Sequence, residues 1–162
     1  MVGAIRGRGR VQGRRVSSSP DLAEPRPVPE PDDVTEPYWA GAREGMLVIT
    51  RCSQCRLYVH PPDVGCPRCL TETLVPEQVS GRGTVYTFAV AHQAFDRPFV
   101  SRLPYVIALI ELVEQPGLRL LTNIVESAAE RCAIGAAVEV TFESVGSWSL
   151  PQFRLVAGGL SQ

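Results

Sequence analysis

The chain has 162 residues, of which 44% are hydrophobic, and a formal net charge of −1 at pH 7. This length allows one ordinary domain or two small ones. A charge so close to zero excludes an overall field that would recruit nucleic acid or a membrane surface. No apolar run approaches the length of a transmembrane helix, and we expect a cytoplasmic protein without a membrane partner. All sixteen basic residues are arginine, which we interpret as the composition of a GC-rich bacterial genome.

Residues 1–34 are predicted to be a disordered tail. The first nineteen contain five arginines and no acidic residue, and the following stretch mixes acidic residues with prolines. Such a composition cannot bury a core and favours an extended chain. An organellar transit peptide and a start codon assigned too early are alternatives for the basic part.

A short helix is predicted from Thr35, as the N-terminal cap, to Glu44. A proline lies in its first turn, and Gly45 ends it. Tyr38 and Trp39 make one end of this helix aromatic. We favour packing against the rest of the chain, because large aromatic side chains are usually buried first. A docking surface for a partner is the alternative.

Residues 35–79 are predicted to form this helix and a metal-binding ribbon. Two Cys-x-x-Cys pairs are separated by ten residues: Cys52 with Cys55, and Cys66 with Cys69. Each pair lets two sulfurs of one tight turn face the same ion, and two such turns complete a tetrahedral site with four thiolates. Short strands are predicted at residues 46–51, 57–59 and 73–78.

Other uses of these cysteines are less favoured. Two disulfides would need an oxidising compartment, of which the sequence shows no sign. A redox dithiol would need only one pair and a thioredoxin-like context. The four-sulfur set suits zinc and iron alike, and we favour zinc because zinc ribbons are the commoner use. His60 lies between the two pairs and is interpreted as a neighbour of the site rather than as a ligand.

Residues 80–160 are predicted to be all β. Five strands are expected at residues 83–92, 104–113, 118–125, 137–145 and 150–156, with one helical turn at 127–131. Five strands with a helical element between the third and the fourth are typical of an OB-fold barrel. The predicted fold class is therefore mainly β: an N-terminal helix, a rubredoxin-like zinc ribbon and a five-stranded OB-fold. Cys132, which has no sequence partner, is interpreted as a small buried hydrophobic residue.

The chain resembles the DUF35 family, whose proteins combine a zinc ribbon with an OB-fold and associate with acyl-CoA enzymes. The resemblance covers about residues 35–157. It rests on Tyr38-Trp39, Glu44-Gly45, Leu47, the two cysteine pairs, Pro61-Pro62, Pro67, Ser80-Gly81-x-Gly83-Thr84-Val85-Tyr86-x-Phe88, Pro104-Tyr105-Val106, Glu111-Leu112, Gly135 and Phe153-Arg154. Family members usually carry glycine after each cysteine pair, where this chain has Arg56 and Leu70. A left-handed backbone there would cost about 1–2 kcal/mol for a residue other than glycine.

The resemblance implies a non-catalytic accessory subunit. Its partner would be a thiolase-superfamily enzyme, such as a thiolase or a lipid-transfer-protein-type aldolase, and the two together would hold an acyl-CoA thioester. Consistent with this, the chain offers only His60 and His92 as bases for neutral pH, and it shows no Ser–His–Asp pattern.

A loop of the barrel is the candidate contact for CoA or for the partner protein. Its candidate residues are His92, Phe95, Arg97, Phe99 and Arg102. The arginines can pair with phosphates, and the phenylalanines can pack on adenine or pantetheine. One alternative is that both phenylalanines fold back into the barrel. The other is that His92 has a structural role.

Single-stranded nucleic acid is the competing ligand, because OB-folds bind it through aromatic stacking. Residues 81–162 carry six arginines and seven acidic residues. Such a balance provides no basic groove for phosphates, and nucleic acid is therefore disfavoured.

Overall fold

The computed structural model describes residues 26–94 and 96–156. Within these ranges it contains one α-helix, a three-stranded sheet and a closed five-stranded barrel. The predicted fold class is confirmed. Residues 1–25 of the predicted tail, Phe95 of the candidate loop and residues 157–162 lie outside the described residues.

The helix α1 spans Glu36–Arg43; it begins directly after the predicted cap and ends one residue earlier than predicted. Thr35 is its N-terminal cap, but the threonine side chain makes no capping hydrogen bond to the helix. Thr35 and Asp32 form hydrogen bonds with each other instead. The Asp32 N–H donates to Thr35 Oγ1 at 3.0 Å, and the Thr35 N–H donates to Asp32 Oδ1 at 2.8 Å. Asp32 thus fixes the turn that leads into the helix, a role that the sequence analysis missed.

The ribbon is an antiparallel sheet in the order β2-β1-β3. Its strands are β1 (Val48–Cys52), β2 (Tyr58–Val59) and β3 (Leu74–Gln78). The first predicted strand begins two residues later than expected and runs into the first cysteine. Because both β1 and β2 border the first cysteine pair, the sheet places that pair at its end.

The barrel has the strand order β4-β5-β6-β8-β7 and closes between β7 and β4. Its strands are β4 (Arg82–Ala91), β5 (Tyr105–Leu112), β6 (Arg119–Ile124), β7 (Ala137–Val145) and β8 (Trp148–Leu155). The β6–β8 pair is parallel and the other pairs are antiparallel, as in the Greek-key barrel of an OB-fold. A short 3₁₀ helix, Ala129–Arg131, lies between β6 and β7, where the helical turn was predicted.

One hydrophobic core runs through both parts of the chain. Leu47, Ile49 and Tyr58 of the ribbon belong to the same buried cluster as the barrel residues Ile110 and Phe153. Burial of that shared apolar surface is the main favourable term that holds ribbon and barrel together. Cys132 is also buried in this cluster, so its predicted position is confirmed.

The turn between β5 and β6 also reaches back to the ribbon. The amide side chain of Gln115 makes two bonds to the backbone of Tyr58: it accepts from Tyr58 N–H at 2.9 Å and donates to Tyr58 C=O at 3.3 Å. Glu114 accepts from the Ser80 N–H at 2.7 Å. These polar contacts give the ribbon a defined orientation on the barrel.

Gly81 marks the entrance to the barrel. Its φ is +70°, and a Cβ atom placed there would lie 2.2 Å from Val140 Cγ1 on β7. Only glycine fits both the left-handed backbone and the close approach. Gly81 therefore forms a tight passage over a neighbouring strand.

Among the described residues, no helix is both long and apolar enough to span a membrane.

Candidate functional site

The four predicted cysteines converge on one point. All four Sγ atoms lie within 4.8 Å of one another, and the Cys52–Cys69 and Cys55–Cys66 sulfurs are 3.5 Å apart. Sulfurs bound tetrahedrally to zinc at about 2.3 Å would be separated by about 3.8 Å. The arrangement therefore fits a tetrahedral metal ion, and the four cysteines form a metal site.

The backbone of each cysteine turn is fixed by hydrogen bonds. The Arg56 N–H donates to Cys52 C=O at 3.0 Å, and the Leu70 N–H donates to Cys66 C=O at 2.9 Å. Both donors have left-handed backbones, with φ values of 62° and 59°. Left-handed backbones were predicted at these two positions, and the structure confirms them.

The two turns differ in exposure. Cys52 and Cys66 are buried, Cys55 is half-buried and Cys69 is exposed. The Cys55 N–H donates to Cys52 Sγ at 3.4 Å, and mainly this hydrogen bond lowers the pKa of the Cys52 thiol to about 6. A thiolate is the form that binds metal, so the backbone prepares Cys52 for coordination.

His60 lies in the ribbon directly after β2 and is not a member of the group of four cysteines. Its ring lies 5.6 Å from the Tyr38 ring, centroid to centroid. Burial lowers the pKa of His60 to about 4. Its buried Nδ1 atom has no hydrogen-bond partner among the described residues. At neutral pH the side chain is therefore an uncharged packing group.

Tyr38 and Trp39 are half-buried and pack against other parts of the chain. Their rings meet edge to face at 4.9 Å, and Trp39 meets Trp148 of β8 edge to face at 6.2 Å. The Arg43 guanidinium lies over the Trp148 ring, 5.5 Å from its centroid. These contacts support the packing interpretation of the two helix residues, and they tie α1 to the barrel.

The candidate loop is only partly available for binding. His92 and Arg97 are exposed, whereas Arg102 forms an ion pair with Glu143 of β7. The half-buried Phe99 ring lies 6.1 Å from the Tyr105 ring. A role for these side chains in ligand binding stays a prediction, and for Arg102 it would require exchange of Glu143 for the ligand.

Arg26 is a residue that sequence reasoning missed. Its Nη1 lies 2.7 Å from Glu143 Oε1, and its guanidinium lies 5.2 Å from the centroid of Phe99. With Val28, Val145 and Trp148 it also lines an open cavity of about 450 Å³. No local signal connects Arg26 with Glu143, because 117 positions separate them.

Two domain families match consecutive parts of the chain. The ChsH2 rubredoxin-like zinc ribbon domain matches residues 39–75, and the ChsH2 C-terminal OB-fold domain matches residues 76–143. A DUF35 domain-containing scaffold protein of Methanocaldococcus jannaschii is 38% identical over 109 residues, which cover 66% of this chain and 75% of that protein. The chain belongs to the DUF35 family. The predicted family resemblance is confirmed.

One further relative and one solved structure that are similar to this DUF35 protein have names that state a function. A probable enoyl-CoA hydratase alpha subunit of Thermomonospora curvata is 35% identical over 142 residues, or 86% of this chain. The present chain spans only 42% of that relative's length. A solved chain of an Ltp2-ChsH2(DUF35) aldolase is similar with a TM-score of 0.72 and 34% identity. That match covers 79% of this chain and 98% of the solved chain.

Proposed function

We propose that this DUF35 protein is a non-catalytic accessory subunit of a thiolase-type enzyme, such as a thiolase or a lipid-transfer-protein-type aldolase. The observation that carries the proposal is the match to the Ltp2-ChsH2(DUF35) aldolase. Its solved chain is covered over 98% of its length, so a unit equivalent to this helix, ribbon and barrel takes part in an aldolase assembly there. The identity of 34% supports a similar role here.

The side chains of the described residues agree with a supporting role. His60 is half-buried, and because burial lowers its pKa to about 4 it is uncharged at neutral pH. A group with so low a pKa is a poor general base. The exposed His92 has no side-chain hydrogen bond among the described residues to orient it for proton transfer. Four of the five cysteines lie in the metal site, and Cys132 is buried with a pKa raised by burial.

The metal is proposed to be zinc with a structural function. Cys52, Cys55, Cys66 and Cys69 would all be ligands, and such a closed four-thiolate site leaves no open position for a substrate. A structural ion supplies folding free energy to a ribbon that is too small for a core of its own. The family description of a zinc ribbon over residues 39–75 supports zinc rather than iron.

The partner and this chain together are proposed to hold the acyl-CoA thioester. His92, Arg97 and Phe99 are the side chains of this chain that we propose to face CoA, together with Phe95, which lies outside the described residues. The exposed Arg97 can pair directly with a phosphate. Arg102 can do so only after it leaves Glu143.

The test is co-expression and co-purification with a thiolase-type subunit from the same organism. We expect one complex in gel filtration at micromolar concentration, and we expect turnover of an acyl-CoA substrate by the complex. The chain alone should show no turnover. Separate elution of the two proteins would contradict the accessory role. Tight, salt-sensitive binding of a single-stranded oligonucleotide by the chain alone would favour the nucleic-acid function instead.

A further inference from the structure

Four side chains with hydrogen-bonding groups meet beside the first cysteine turn of the ribbon. Arg51 of β1 lies directly opposite Tyr58 of β2. On its other side Arg51 faces Val75, two residues before Glu77 of β3. Side chains at such positions of neighbouring strands are close enough to interact. We call the group of Glu77, Arg51, Arg56 and Tyr58 the Glu77 cluster.

The carboxylate of Glu77 is the centre of this cluster. Its Oε1 accepts hydrogen bonds from Arg51 Nη1 at 2.8 Å and from the Tyr58 hydroxyl at 2.6 Å. Its Oε2 lies 3.4 Å from Arg56 Nη2. A single ion pair with exposed partners contributes little to stability. Here three contacts meet at one partly buried carboxylate, so each contact helps to hold the others in place.

The Glu77 cluster joins the two ends of the first cysteine turn. Arg51 directly precedes Cys52, and Arg56 directly follows Cys55. Arg51 Nε donates to the Arg56 C=O at 2.8 Å, and Glu77 contacts both arginine side chains. The four residues of the turn are therefore enclosed by a ring of contacts in which the metal takes no part. These contacts also fix the left-handed backbone of Arg56, whose φ is 62°.

The second cysteine turn has no equivalent support from the side chains that flank it. Gly65 directly precedes Cys66 and has no side chain, and Leu70, which directly follows Cys69, is apolar and 84% exposed. This turn lies between β2 and β3 and outside both strands. The two halves of the metal site are thus held differently: side chains from two strands brace the first half, and backbone hydrogen bonds hold the second.

We propose that Glu77 is a positioning residue of the metal site. Through Arg51 and Arg56 it holds the Cys52–Cys55 turn in the geometry that binds zinc before the ion arrives. A turn that is already ordered loses less conformational entropy when it binds, so its affinity for the metal is higher. Arginine at position 56 lacks the backbone freedom of glycine but supplies a contact that glycine cannot make. The inference rests on the proposed zinc site and is independent of the accessory role.

The zinc dissociation constant of the full chain, measured by competition with a chromophoric chelator, tests this role. We expect Glu77→Gln to weaken zinc binding about tenfold, at the lower end of the range typical of residues that orient metal ligands. Glu111→Gln is the matched control. It removes a carboxylate of similar exposure, 29% against 33%, from an ion pair with Arg119 in the barrel. Because that pair is remote from the cysteines, zinc binding should stay within about twofold of wild type.

Further variants separate positioning from folding. Arg56→Gly supplies a residue that adopts the left-handed backbone without support, so in that background the loss caused by Glu77→Gln should shrink to about twofold or less. Arg56→Met removes one contact of the cluster from a side chain that is 56% exposed, where folding does not depend on it. It should weaken zinc binding about threefold, as expected for one exposed ion pair.

Substitution with Co²⁺ separates positioning from ligation. At saturating Co²⁺, the thiolate absorption bands of Glu77→Gln should equal those of wild type, because the four cysteines remain the ligands. Changed bands would show a changed ligand set and would overturn the indirect role of Glu77.

The binding measurements can also overturn the positioning role. A dissociation constant of Glu77→Gln within about twofold of wild type would do so, and so would an equal loss in Glu111→Gln, which would show a general effect of destabilisation. An undiminished loss in the Arg56→Gly background would place the effect in the sheet and not in the turn. A wild-type chain without stoichiometric zinc would instead remove the proposed zinc site itself.

Discussion

Trp39 of α1 and Trp148 of β8 meet edge to face, with ring centroids 6.2 Å apart. This contact joins the N-terminal helix to the far hairpin of the barrel, 109 positions along the chain. Aromatic pairs in this geometry contribute beyond their buried area. The helix is therefore part of the barrel's packing.

We expect the two tryptophans to be energetically coupled. Because an aromatic pair contributes about 0.5–1.5 kcal/mol beyond area burial, the Trp39→Ala and Trp148→Ala costs should sum to more than the cost of the double variant by about that amount. Urea denaturation of the four proteins measures the coupling. Strict additivity would show that the rings are neighbours without mutual stabilisation.

Gly81→Ala should be among the most destabilising changes at a glycine. The added Cβ would lie 2.2 Å from Val140 Cγ1, so overpacking of about 1–3 kcal/mol is added to a left-handed penalty of about 1–2 kcal/mol. Gly117→Ala is the matched control, because φ is +82° there and no atom lies within 4 Å of the added Cβ. Its cost should be the left-handed penalty alone. Thermal unfolding distinguishes them, and Val140→Ala should partly rescue Gly81→Ala.

His60 should make the fold sensitive to mild acid. Burial lowers the pKa of this group from 6.5 to about 4, so the unfolded chain binds a proton at a pH where the folded chain does not. The contribution of uncharged His60 to the free energy of unfolding is complete above pH 6.5 and is lost as the pH falls toward 4. Its size is roughly 3–3.5 kcal/mol.

The His60→Phe variant should show a flatter loss of stability between pH 7 and pH 5. Denaturant midpoints measured in excess zinc supply the comparison. His92→Gln is the control, because it removes an exposed histidine and keeps His60. An identical pH slope in wild type and His60→Phe would assign the acid sensitivity to other groups.

The Tyr38 hydroxyl should ionise only at an unusually high pH, and its ionisation should destabilise the fold. Burial raises its pKa from 10 to about 12, so its stabilising effect is present below pH 10 and is lost as the pH rises through 12. Tyr38→Phe has no ionisable hydroxyl, so it should retain more of its neutral-pH stability at pH 11 than wild type does. Equal losses in the two proteins would place the alkaline transition elsewhere.

Most of the fold follows from local patterns in the sequence. The spacing of Cys52, Cys55, Cys66 and Cys69 predicts the metal site because Cys-x-x-Cys turns bring sulfurs together through local geometry. Strand alternation and the helical turn before β7 predict the barrel. The helix was predicted within one residue at each end. By contrast, β8 begins at Trp148 and not at residue 150 as predicted, because its pairing with Val145 across a tight turn extends the hairpin.

The ion pairs between residues far apart in the sequence could not be predicted. Arg102 is an arginine in a loop with phenylalanines, which predicts a phosphate contact, yet Glu143 from a distant strand already pairs with it. Arg26 joins the same carboxylate from the predicted tail. Each pairing depends on the closed barrel, and no periodicity or motif encodes it.

The metal site can be tested apart from the partner. Cys52→Ala and Cys66→Ala should each abolish stoichiometric zinc and increase hydrogen exchange in the ribbon, because metal binding supplies folding free energy to that segment. Cys132→Ala is the control and should keep its zinc, since its sulfur is not one of the four. Retention of zinc and of ribbon protection in Cys66→Ala would contradict the four-sulfur site.

The composition of the complex with the thiolase-type subunit is the most direct test of the accessory role and of the metal site together. Gel filtration with light scattering, followed by elemental analysis of the peak, measures both assembly and metal. We expect one co-eluting species with one zinc ion per DUF35 chain, and dissociation of that species when a strong chelator removes the zinc. Separate peaks, or a complex that persists unchanged after the metal is gone, would contradict it.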